Sequence, residues 1–165
     1  MPDEYEKVPI IRPLRDAAEA RLCAAFVAAS APWRTLGCSE ALIFQRLTNP
    51  AREIHVAELE QAAAGVLVLH LDGPLNGYIQ MLAVHPDWRG RGLGARLMRF
   101  AEERIFRQSP HVFLCVSDFN RRAQAFYARL GYRRVGELPD FLTKGHSEIL
   151  MSKTKGPLLD FVPQK

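Results

Sequence analysis

The sequence predicts an α/β domain built on one mixed β-sheet flanked by helices, and three observations carry that expectation. Two helix-patterned segments near the N-terminus give way to three strand-patterned segments joined by short polar turns, which implies an antiparallel run. Beyond them, the segments 77–84, 93 onward and 111–117 read as strand, helix and strand, and such a crossover joins parallel neighbours. Finally, 165 residues of which 48% are hydrophobic, without an internal repeat, suit one domain with a sizeable core.

The elements follow in order. Ile10-Ile-Arg-Pro is a short first strand, and the alanine-rich stretch from Arg15 to Ala29 is helical. Ser30 to Gly37 breaks it; Ser39, with Glu40 behind it, caps a second helix to about Leu47, which Asn49-Pro50 stops. Strands are expected at Glu53–Leu59, Gly65–Leu71 and Gly77–Val84, the last two joined by Asp72-Gly-Pro-Leu-Asn. A helix opens near Leu93, a strand follows His111, and another helix ends before Gly131. Arg133–Leu138 and Ser147–Met151 are closing strands, so that residues 1–153 form the domain and Thr154–Lys165, with two prolines, a tail.

The richest stretch runs from Ile79 to Met98, where an apolar strand, a basic glycine loop and an amphipathic helix follow one another. Gly90, Gly92 and Gly94 let the backbone turn sharply and approach a ligand, and the helix at Leu93 presents unpaired N–H groups and the positive end of its dipole. Such a loop binds a pyrophosphate without a lysine. A Walker loop is excluded, since Ala95-Arg96 follows Gly94 where Lys and Ser or Thr are needed. The dinucleotide fingerprint fits Gly90-x-Gly92-x-x-Ala95, with Asp118 roughly 20 residues on. Against it, His85-Pro-Asp-Trp-Arg89 separates strand from glycines, and the chain beyond is too short for a doubly wound sheet.

A second motif spans His111 to Tyr132. Asn120 is a good N-cap and Gly131 a good residue to end the helix between them. Ala123, Phe126, Tyr127 and Leu130 recur at helical spacing, giving one apolar face for the sheet. Asn120 and Tyr127 are seven residues apart, roughly two turns, so both side chains leave the helix in nearly the same direction.

Arg89-x-x-Gly92-x-Gly94, preceded by Leu82-Ala-Val-His-Pro and followed by Ala95-Arg-Leu-Met, resembles the acetyl-coenzyme A signature of the GNAT family of N-acetyltransferases. The Asn…Ala…Phe-Tyr…Leu-Gly-Tyr pattern is similar to that family's second motif, and the resemblance covers roughly Ile10 to Lys153. It implies a GNAT-like fold in which the parallel strands splay apart to form the acetyl-coenzyme A cleft. The pyrophosphate then falls to Gly90, Arg91, Gly92, Leu93, Gly94 and Ala95, with Arg89 and Arg91 as phosphate contacts. The strand residues Leu82, Ala83 and Val84 border the cofactor, and an amide near Leu82, freed by strand distortion, is the oxyanion donor. By the same resemblance Asn120 contacts the pantetheine arm and Tyr127 sits near the thioester sulfur as proton donor.

The implied chemistry is direct attack of a neutral amine on the acetyl thioester, and a lysine-like amine, with a pKa of ~10.4, must first lose a proton. Many family members carry a glutamate on the strand before the loop, but this strand offers only Gln80. Glu53, His55, His70 and Glu148 lie on neighbouring strands, and Glu53 is singled out as the base. Trp33 is either part of an acceptor pocket or a plug under its loop, Trp88 and Phe119 pack, and Cys115 is a core cysteine.

The formal charge of +4 hides an asymmetry: from Arg89 to Arg134 there are 11 arginines against Glu102, Glu103 and Asp118. A positive field there would favour coenzyme A, which carries a pyrophosphate and a ribose phosphate. Cys23, Cys38 and Cys115 form no CxxC pair and are expected as reduced thiols without a metal. No apolar run is long enough for a bilayer, and residues 1–7 lack a signal pattern, so a cytoplasmic location without a membrane partner is the expectation. The acceptor is a small-molecule amine or a protein amino group, and a homodimer stays open. Two rival classes are an acyl-coenzyme A binding module without transferase activity and a nucleic-acid binder using residues 89–134; nucleic acid ranks lower because no recognition motif accompanies the charge.

Overall fold

The computed structural model describes residues 8–164, so the reading of residues 1–7 as lacking a signal pattern lies outside the described residues. Strand β1 (Ile10–Pro13) leads to helices α1 (Ala17–Ala28) and α2 (Glu40–Leu47). Strands β2 (Glu53–Leu59), β3 (Ala62–His70) and β4 (Tyr78–Val84) follow, then helix α3 (Leu93–Ile105) and strand β5 (His111–Ser117). Helix α4 (Arg121–Arg129) and strands β6 (Arg133–Pro139) and β7 (Ser147–Thr154) close the chain. The seven strands form one sheet in the order β1-β2-β3-β4-β5-β7-β6. Every pair is antiparallel except β4 with β5, which α3 connects.

The caps act as the sequence implies. Asp16 Oδ1 accepts from Glu19 N at 2.9 Å, and Ser39 Oγ accepts from Leu42 N at 3.2 Å. The two helix pairs cover opposite sheet faces. Ala20, Cys23, Ala24 and Val27 of α1 and Ile43 and Leu47 of α2 pack on Val56, Val66, Val68, Met81 and Ala83. On the other face Leu93, Leu97, Met98, Ala101 and Ile105 of α3 pack on Leu67, Leu69, Ile79, Val112 and Leu114, with α4 against the same layer. This explains the apolar run of β3: a strand covered on both faces has no polar alternation to show.

Two details of β4 position the site. Its ladder with β3 pairs Met81 with Val68 but Ile79 with Leu69, so Gln80 is an extra residue in a β-bulge. The bulge inverts the alternation: Ile79 joins the core under α3, whereas Met81 joins the core under α1 and α2. Second, β4 pairs with β5 only at Tyr78 with Phe113 and Ile79 with Leu114, and the strands then part. Gly77, at φ +87°, makes their junction possible, since a Cβ there would lie 2.4 Å from His111 O and 2.5 Å from Ile105 Cγ2.

The C-terminal segment makes contacts of its own. Thr154 still belongs to β7, Lys155 Nζ lies 4.2 Å from the centre of the Phe106 ring, and Gln164 N donates to Arg107 O at 2.9 Å. A backbone hydrogen bond and a cation–π contact place it beside the end of α3.

Candidate active site

The parting of β4 and β5 opens a cleft of about 850 Å³ that passes between the strands from one sheet face to the other. Gly77 O accepts from Phe113 N of β5 at 3.0 Å, whereas His85 N donates to Ala64 O of β3 at 2.8 Å. Residues of a strand aim their N–H and C=O groups alternately at its two edges. Counting back from His85, Leu82 and Val84 therefore aim theirs at the gap, beyond the reach of β5. Val84 O there accepts from Arg89 Nε at 3.1 Å. Leu82 N–H is thus a donor without a strand partner beside the gap, which is what an oxyanion needs.

The glycine loop closes the same end. Gly92, at φ +73°, is the N-cap of α3 and supplies no side-chain hydrogen bond, so the first amides of the helix point out unpaired. A Cβ on Gly92 would meet no atom within 4 Å, and the backbone therefore borders open cleft. Arg89, Gly90, Gly94 and Ala95 also line it, as do Leu82, Ala83 and Val84. Leu93 lines it too while anchoring its side chain in the core at 2% exposure. Arg91 is turned aside, with its guanidinium 4.9 Å from the Trp88 ring centre, and does not line the cleft. This stacking accounts for its departure from the expected phosphate contact.

From α4, Asn120 and Tyr127 both reach the cleft, in keeping with their two-turn spacing. Asn120 Oδ1 caps the helix by accepting from Ala123 N at 3.2 Å, which leaves its amide nitrogen available. Tyr127 packs edge-on against Phe126 at 5.2 Å and Tyr132 at 6.0 Å. Its hydroxyl has no hydrogen-bond partner among the described residues, and burial pushes its pKa up to about 12. It is therefore a protonated donor at neutral pH.

Glu53 is a correction. It sits on the α3 face of β2, outside the cleft, where Arg104 of α3 holds both of its carboxylate oxygens by donating from Nε and Nη2. The strand alternation expected for β2 could not say which face borders the acceptor, and the arginine on α3 decides. His55 shares that face, stacked edge-on with Phe100 at 4.7 Å, and burial lowers its pKa. The cleft's carboxylate is instead Glu148 of β7, 4% exposed, with Ser117 Oγ donating to its Oε1 at 2.7 Å. Its inward position was readable only as one acid between Ser147 and Ile149, a weak signal without the partner strand.

The opposite arm of the cleft lies on the α1/α2 face. Trp33, between α1 and α2, lines it while packing on the core, so both of its readings hold. Leu75 between β3 and β4, and Phe141 and Leu142 between β6 and β7, border it from two other loops. Cys115 is half-buried in the cleft wall rather than deep in the core, and burial raises its pKa, so it stays a thiol. Phe119 packs against His146 at 4.9 Å.

No helix among the described residues is long and apolar enough to cross a membrane. Comparison with known proteins matches residues 18–132 to the acetyltransferase (GNAT) family. An uncharacterised N-acetyltransferase of Methanocaldococcus jannaschii is 35% identical over 111 residues, which are 64% of this chain and 70% of the relative. Among solved structures, the ribosomal-protein alanine N-acetyltransferase of Escherichia coli superposes with a TM-score of 0.71 at 17% identity, covering 94% of this chain and 99% of that one. A phosphinothricin acetyltransferase of Sinorhizobium meliloti in complex with acetyl-coenzyme A gives 0.72 at 16% identity, covering 96% and 94%. With its mixed sheet, parted parallel strands and glycine-capped helix, the chain belongs to the GNAT family of acetyltransferases and is an N-acetyltransferase.

Proposed function

We propose that the protein uses acetyl-coenzyme A to acetylate a primary amine, by direct attack within a ternary complex. The observation that carries this reading is the cleft running between the parted strands, with unpaired amides at its α3 end and an acidic, aromatic room at the other. Acetyl-coenzyme A, when bound, supplies an acetyl group activated as a thioester. The fit is supported by the open space before Gly92, the free amides of α3 and the narrow slot beside β4.

In this reading the amides of residues 92–95 hold the pyrophosphate, with Arg89 beside them. Leu82 N–H steadies the negative charge that develops on the carbonyl oxygen. Tyr127 gives its proton to the departing sulfur, a role suited to a phenol kept neutral by burial. Asn120 orients the pantetheine arm through the amide nitrogen that its cap leaves available. The inferred setting is the cytoplasm, in keeping with three free cysteines.

The test is calorimetric titration with acetyl-coenzyme A, with NADH as the rival anion at the same salt. Selective, saturable binding at one site per chain is the expected result. Equal binding of both, or of neither, would contradict the reading.

A further inference from the structure

We infer that the acceptor is a small amino-acid-like zwitterion, with its amine seated on Glu148 and its anionic group on Arg46, and that Glu148 takes the amine's proton. This rests on the transferase reading above and narrows it to one substrate class and one further catalytic residue.

The observation is a pair of groups of opposite charge, neither with an ionic partner among the described residues. Glu148 is 4% exposed, and its only polar partner among the described residues is the neutral Ser117 hydroxyl at 2.7 Å. A carboxylate so deeply buried is costly unless a cation joins it, and no arginine, lysine or histidine among the described residues does. Arg46, on α2, lines the same cleft, and its guanidinium makes no hydrogen bond or ion pair among the described residues. Tyr78 relates the two. Its phenol lies in the cleft wall within electrostatic reach of Glu148, Arg46 and Cys115, and burial keeps it un-ionised.

The surroundings set the class. Trp33, Leu75, Phe141 and Leu142 come from three different loops and leave an apolar room around the charged pair. A polyamine would leave Arg46 facing a second cation, and a peptide N-terminus brings no carboxylate of its own. A free amino acid with an apolar side chain satisfies both charges and the walls together.

The proton balance is simple. The acceptor ammonium gives one proton to the Glu148 carboxylate; the freed lone pair forms the C–N bond as the C–S bond breaks and Tyr127 protonates the sulfur; the acylated nitrogen then sheds its second proton, which through solvent restores the Tyr127 phenol, and Glu148 returns its own proton to water. The groups facing Glu148 are Ser117 and Cys115 of β5, Tyr78 of β4, Leu138 opposite it on β6, and Asp118 beyond β5. Burial raises its pKa above the ordinary carboxylate value, the Ser117 bond opposes that and Asp118 adds to it. A base of that kind is better matched to neutral pH than an exposed glutamate.

The experiment uses the full chain with acetyl-coenzyme A and matched acceptors: L-phenylalanine and phenethylamine, L-leucine and isoamylamine, L-methionine and its decarboxylated amine. Thiol release is followed, and acetyl-coenzyme A affinity is measured separately by calorimetry. The expected result is preference for the carboxylated member of a pair. In Arg46→Gln its KM rises about 10- to 100-fold while the plain amine is unaffected. In Glu148→Gln, kcat falls about 100-fold or more and its rise with pH disappears, with acetyl-coenzyme A affinity unchanged. Equal or better use of the plain amines, or an Arg46→Gln effect on both members alike, would overturn the zwitterion. Turnover of none of the six acceptors despite acetyl-coenzyme A binding would overturn it while sparing the transferase reading. Absence of acetyl-coenzyme A binding would remove both.

Discussion

The two arms of the cleft are built from different materials. The arm at α3 is made largely of backbone: amides of residues 92–95, the Leu82 and Val84 edge of β4, and glycines that bring them close. The arm on the α1/α2 face is made of side chains that five separate stretches contribute, among them Trp33, Arg46, Leu75, Phe141 and Glu148. Backbone recognises features common to every substrate of its kind, such as a pyrophosphate, and is insensitive to most substitutions. Side chains on loops define one acceptor and can be exchanged without disturbing the sheet. If the α3 arm takes the cosubstrate and the other arm the acceptor, as proposed, the two ends of one cleft can change independently.

Substitutions that damage only one arm test this division. The largest effect is expected from Gly92→Glu, which places bulk and negative charge before the α3 amides and strains a φ of +73°. Acetyl-coenzyme A binding should vanish in calorimetry while the fold survives; retained affinity would mean that the loop is not the cradle. Next comes Tyr127→Phe, for which turnover should fall about 100-fold with little change in acetyl-coenzyme A affinity. An unchanged rate would remove its role as acid.

Gly77→Ala strikes the hinge between the arms. A Cβ 2.4 Å from His111 O at positive φ should cost about 2–3 kcal/mol in denaturant unfolding. Wild-type stability would show that β4 and β5 can part without it. Asn120→Ala removes a cap, costing about 1 kcal/mol, and should weaken acetyl-coenzyme A only modestly. A large loss of affinity with no loss of stability would reassign the residue from cap to ligand contact.

The smallest effect concerns the acceptor arm and has the opposite sign. The pKa of Glu148 is raised by burial, so the fold gains from its protonated form below the ordinary carboxylate value and loses that gain as pH rises through the shifted pKa. Glu148→Gln should therefore melt about 2–4 °C higher than wild type at pH 8 and at the same temperature near pH 4. A lower melting temperature at pH 8 would show that the carboxylate is compensated in the folded state.

Legibility in the sequence follows the same division. Backbone devices leave local signatures, so Ser39, Asn120, Gly92 and the seven-residue spacing from Asn120 to Tyr127 could be read without a partner strand. The bulge at Gln80 could not, because an extra residue is defined only against β3. Glu53 failed for a related reason: periodicity places it on one face of β2, but Arg104, 51 residues away, determines which face that is and ties it there. Arg91 offered a charge beside glycines, and only the Trp88 ring shows where that charge goes. The acceptor arm depends on loops distant in sequence, whose convergence is a property of the sheet order.

The most direct test of the account is a crystal structure determined with acetyl-coenzyme A. The expected result has the pyrophosphate on the amides of residues 92–95, the thioester carbonyl within hydrogen-bond distance of Leu82 N, and the sulfur beside Tyr127. Density for the nucleotide along the outer face of α3 beside Arg99, with the gap between β4 and β5 empty, would contradict it.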